Sequence, residues 1–136
     1  MPKVFTGKII MPASKINEYL NVLEGAERET ERFRDYLSNL SKEFEEHLLS
    51  TRSPRTANKH ATIIGLFIDF LCYNTDVRRL EDITRGIANS YFRRWYISKV
   101  GDCTESELKT AVKKFFEYLA NERGIVNEQV LESFKR

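Results

Sequence analysis

The sequence predicts an all-α protein, a small bundle of five to six helices, and three observations carry that prediction. Glycine and proline number only six and three in 136 residues, too few for a turn-rich β architecture. Apolar residues recur at spacings of three and four through several windows, the period of one helix face. Start and stop residues bracket those windows. The length suits a single core, and the expected organisation is an arm and helical extension over 1–36 followed by a helical domain over 37–136.

The first dozen residues hold a β-prone stretch around Val4, Phe5, Ile9 and Ile10 with no second strand to pair with, and read as an arm. Ser14 is placed to cap a short helix carrying Ile16, Tyr19, Leu20 and Leu23, with Gly25 as its stop. From about Ala26 to Leu49 a second helix puts Phe33, Leu37, Leu40, Phe44 and Leu48 on one face. Its outer face is rich in glutamate (Glu43, Glu45, Glu46), and Ser38 or Ser41 is the place for an interruption.

Ser53 before Pro54 is a helix start, because the serine oxygen accepts from an orphan N–H and proline at the first position has none to lose. That helix runs to about Tyr73. Its first residues are polar and basic, while Ile63, Ile64, Leu66, Phe67, Ile68, Phe70 and Leu71 span more than one face. Asp82 or Thr84 caps the next helix, where Ile87, Tyr91 and Trp95 recur every fourth residue as a core stripe. Thr104 and Glu107 form a capping box before Leu108, Val112, Phe115, Phe116 and Leu119. Gly124 ends that helix and Asn127 starts a short last one with Val130, Leu131 and Phe134.

The longest apolar run, Ile63 to Ile68, is far too short for a membrane span. The chain shows no signal-type stretch at its start, so the expected location is the cytoplasm. Cys72 and Cys103 read as reduced thiols. His47 and His60 have no cysteine or carboxylate pair at metal-ligand spacing, and no Gly-rich phosphate loop or nucleophile elbow occurs. The expectation is a chain with no enzymatic activity, no cofactor and no metal.

Charge is segregated. Residues 14–50 carry five Lys/Arg against nine Asp/Glu, whereas 51–100 carry nine against four, so the middle of a chain of net charge +2 is its cationic part. Such a region is the footprint of a polyanion, nucleic acid above all, or else a solvated face.

Read in order, "LSKEFEEHLLS", "SPRT", "FIDFL", "LEDIT", "IANSYFRRW" and "FFEYLANERGIV" resemble the amino-terminal, SAM-like core-binding domain of the tyrosine recombinases, the phage-integrase family. The resemblance covers about Leu37 to Val126. It implies a four-helix domain forming half of a clamp around double-stranded DNA, with the second and fourth helices facing the major groove. The family's catalysis belongs to a separate domain with an HxxR motif, which this chain lacks: "LLS" follows His47 and "ATI" follows His60.

Carried over, the second family helix brings Arg55, Thr56, Asn58, Lys59 and His60, with Arg52 just before, to phosphates and groove edges. The fourth brings Lys109, Lys113 and Thr110. A helix N-terminus with its free N–H groups suits the first set. Glu105 and Glu107 put negative charge in the first turn of the fourth helix, against the pattern. Arg78 and Arg79 are either loop charges or further phosphate contacts, and Arg93 and Arg94 beside Trp95 either flank a buried aromatic or frame a stacking platform. The alternative to DNA binding is a helical protein–protein interaction or self-association module, docking through the surplus apolar face of the Ile63–Leu71 helix.

Overall fold

The computed structural model describes residues 16–101 and 104–135, with side chains from residue 24 onward. Five α-helices follow one another: α1 (Ile16–Thr51), α2 (Pro54–Asn74), α3 (Phe92–Lys99), α4 (Glu105–Arg123) and α5 (Glu128–Ser133). A 3-10 turn at Leu80–Asp82 and a π-helical segment at Ile87–Tyr91 lie between α2 and α3. No strand occurs among the described residues, as an all-α bundle requires. The arm and its expected β-prone stretch, Ser14 and Cys103 lie outside the described residues.

The expected stop at Gly25 does not form: α1 is one continuous helix through Gly25, Ser38, Ser41 and position 36. Gly25 is exposed with nothing within 4 Å of a Cβ built on it. A solvated glycine costs a helix only about 1 kcal/mol, less than fraying one helix and nucleating another among Glu24, Ala26, Glu27 and Arg28. Phe33, Leu37, Leu40, Phe44 and Leu48 are all buried, so the amphipathic reading of this helix holds.

α2 begins as expected. Ser53 Oγ accepts from the Thr56 N–H at 3.2 Å, and Pro54 occupies the first turn. The helix then runs through the middle of the bundle, packing most extensively on α1 and also on α3 and α4. Ile63, Ile64, Phe67, Ile68, Phe70 and Leu71 are buried and Leu66 is partly so, which corrects the expectation of a surplus face for a partner. A helix covered on several sides needs apolar residues on several sides.

The loop after α2 is pinned by Arg78. Its guanidinium donates to the carbonyls of Thr75 at 3.1 Å, Val77 at 2.5 Å and Cys72 at 3.3 Å, and to Thr30 Oγ1 of α1 at 2.8 Å. Arg78 is therefore a clamp between the loop and α1, and Arg79 pairs with Glu81 at the surface.

Thr84 caps the following helix, its Oγ1 accepting from the Ile87 N–H at 3.2 Å. The expected stripe of Ile87, Tyr91 and Trp95 is corrected by the π segment, which places five residues where an α-helix has four. The buried face passes from Ile87 to Phe92 and Tyr96, while Tyr91 turns out to solvent under Arg94. Trp95 is partly buried against Phe70 and Phe92, at ring-centroid distances of 5.6 and 6.2 Å, which favours the packed-aromatic reading over the stacking platform.

α4 starts on the Thr104–Glu107 capping box and ends on Gly124, whose φ of +66° is the left-handed closure that favours glycine. Its inner face meets α2 through the Phe67–Phe116 pair and α1 through the Phe44–Phe115 pair. Asn127 caps α5 and is itself buried.

Candidate nucleic-acid interface

The residues around the start of α2 divide by helical phase. At about 100° per residue, Arg55, Asn58, Lys59 and Thr62 fall within an arc of roughly 100°, and all four are exposed. Ala57, fully buried, fixes that arc outward. Thr56 is half-buried, and its Oγ1 accepts from the Ser53 hydroxyl at 3.1 Å, so it belongs to the cap. Arg52, in the link between α1 and α2, is exposed.

His60 lies roughly 100° round from Lys59, on the flank turned toward the bundle. It is half-buried, and its Nδ1 is buried with no hydrogen-bond partner. Burial foremost, then the positive charges of Lys114, Arg52 and Lys59, hold its pKa below the ordinary value, so at neutral pH it is an uncharged imidazole. It contributes no cation to the interface.

α4 divides in the same way. Taking Glu107 as origin, Lys114 lies about 20° away on the helical wheel, while Lys113 and Lys109 lie about 120° and 160° round. Lys109 and Lys113 accordingly line a groove of about 720 Å³ with Ser133 and Phe134, on the α5 side. Lys114 faces the link between α1 and α2, lining a cavity of about 160 Å³ with Arg52, His47 and Tyr118; Glu117 and Glu122 also line it. Thr110 is exposed and its hydroxyl donates back to the Ser106 carbonyl at 2.8 Å.

Three cations from separate parts of the chain thus converge about His60: Arg52 from the link, Lys59 from α2 and Lys114 from α4. Arg55 and Asn58 continue that edge along the outer face of α2, and Lys109 and Lys113 stand apart from it. Lys114 was not among the residues that the sequence singled out. Its signal is its place two helical turns after Glu107, readable only once Glu107 is known to face α2.

The carboxylates in the first turn of α4 are both engaged. Glu107 Oε1 pairs with Lys59 Nζ while Oε2 accepts from the Thr104 N–H at 3.4 Å, and Glu105 pairs with Arg93. They sit among cations, and the negative charge expected to repel DNA is locally offset.

Among the described residues no group of three His, Cys, Asp or Glu could hold a metal ion. His47 packs on Tyr118, ring centroids 5.1 Å apart, away from His60's cationic neighbours. Cys72 is buried, and burial pushes its thiol pKa up, away from nucleophilic character. No described helix is long and apolar enough to cross a membrane. Comparison with known proteins gave no matching family model, no matching curated sequence and no matching solved structure.

Proposed function

We propose that the chain is a duplex-DNA-binding module, with the edge formed by Arg52, Arg55, Asn58, Lys59 and Lys114 as its contact surface. The observation that carries this reading is the convergence of Arg52, Lys59 and Lys114 on His60, beside a capped helix N-terminus whose N–H groups favour phosphate. The order of sequence signals resembling a recombinase core-binding domain supports the same reading. Without an HxxR motif, the function proposed is to hold DNA and not to cut it. The rival, a module docking through the Ile63–Leu71 face, loses its surface because those side chains are buried or partly buried within the chain.

A fluorescence anisotropy titration with a mixed-sequence duplex across a salt series tests the proposal. With four to six phosphates neutralised, the log–log slope is expected near −4 to −5, a loss of about 10²- to 10³-fold between 50 and 200 mM salt. Lys114→Glu and Arg55→Glu should each weaken binding more than Arg79→Glu, a change in an exposed arginine outside the edge. Absence of binding to any duplex at 50 mM salt refutes the proposal, and equal effects at all three positions refute the surface.

A further inference from the structure

Glu107 serves two masters. One carboxylate oxygen accepts from the Thr104 N–H and completes the capping box, while the other holds the Lys59 ammonium. The first contact is a requirement of the helix and is met equally well by glutamine. The second is not: it spends one cation of the α2 edge on an intramolecular carboxylate. Lys59 remains half-exposed in this pair, with side-chain exposure of 53%, so a phosphate can approach it from solvent. An exposed ion pair of this kind is weak enough to be exchanged for another anion.

We propose that Glu107 is an internal competitor for the polyanion, the residue that sets how tightly the edge holds DNA: Lys59 must leave its carboxylate to meet a phosphate. This inference rests on the DNA-binding reading. Through the capping box the competitor is built into the start of α4, so the stability of that helix and the weakness of the interface come from the same side chain.

Glu107→Gln, Lys59→Gln and the double variant, titrated with a 20-base-pair duplex at 50 mM salt, test it. Glu107→Gln keeps the cap, and circular dichroism verifies the fold. The expected result is binding about three- to fivefold tighter for Glu107→Gln, with the gain absent when Lys59 is already glutamine. Unchanged affinity in Glu107→Gln overturns the proposal. So does a gain that persists in the Lys59→Gln background, because that is a general charge effect and not competition for Lys59. Wild-type binding with an unresponsive Glu107→Gln refutes the competitor alone, whereas a wild type that binds no duplex refutes the DNA reading and this inference with it.

Discussion

Replacing Asn127 by alanine is expected to destabilise the protein more than loss of an ordinary cap. The side chain is 5% exposed and makes three hydrogen bonds. Its Oδ1 accepts from the Val130 N–H at 3.1 Å, and its Nδ2 donates to the carbonyls of Leu80 at 2.8 Å and Ile83 at 2.9 Å. Losing the cap costs about 1 kcal/mol. The Leu80 and Ile83 side chains are themselves buried, so alanine leaves two carbonyls wanting partners, at about 1 kcal/mol each. The total is roughly 3 kcal/mol. With an unfolding entropy of about 2.1 cal/mol/K per residue over 136 residues, Tm falls by about 10 °C. Urea unfolding followed at 222 nm measures the loss. Asn127→Ser, which keeps a capping oxygen but no amide donors, should recover about one third of it. A loss below about 1 kcal/mol for Asn127→Ala would show that the two carbonyl contacts contribute nothing, and would refute this account of how α5 is joined to the 3-10 turn.

Two further outcomes follow from local features. The lowered pKa of His60 means that the unfolded chain takes up a proton first as pH falls. His60 therefore adds a term by which stability is lost from about pH 6.5 down to its folded pKa and is level above that window. Urea midpoints between pH 5 and 7 should depend less on pH in His60→Gln than in the wild type; equal pH dependence would remove His60 from the account. Gly25→Ala, at a site where a Cβ meets nothing within 4 Å, should stabilise α1 locally by about 1 kcal/mol. That is about fivefold more protection of neighbouring amides from hydrogen exchange, and a decrease would mean that α1 breaks at Gly25.

The helix boundaries were legible where a boundary is made by chemistry within four residues. Ser53–Pro54, the Thr104–Glu107 box, Gly124 and Asn127 all stand where local rules place them. Gly25 misled because a glycine marks a stop only where the next residues leave the helix, and here they continue it. The stripe through Tyr91 and Trp95 failed because a π segment carries no recognisable residue signature and shifts the phase of everything after it. The charged residues divided for a longer-range reason. Arg78 looks like Arg79 in sequence, and only Thr30, 48 positions earlier, makes it structural. Lys59 looks free until Glu107, another 48 positions on, is brought beside it. The resemblance to a recombinase domain pointed to the correct end of α2 but could not rank Lys113 against Lys114. That ranking depends on how α4 is rotated against its neighbours.

The π segment has a consequence for the length of the chain. From Ile87 to Phe92 is five residues and from Phe92 to Tyr96 is four, yet all three side chains end on the buried face. The helix therefore holds one residue more than its path along the core requires, and the extra residue is taken up as a local bulge without displacing the aromatics beyond it. Between Thr84 and Phe92 the bundle thus has slack in residue number: a place where the count of amino acids and the geometry of the core are uncoupled, in a fold whose other helices, packed face to face, have no such freedom.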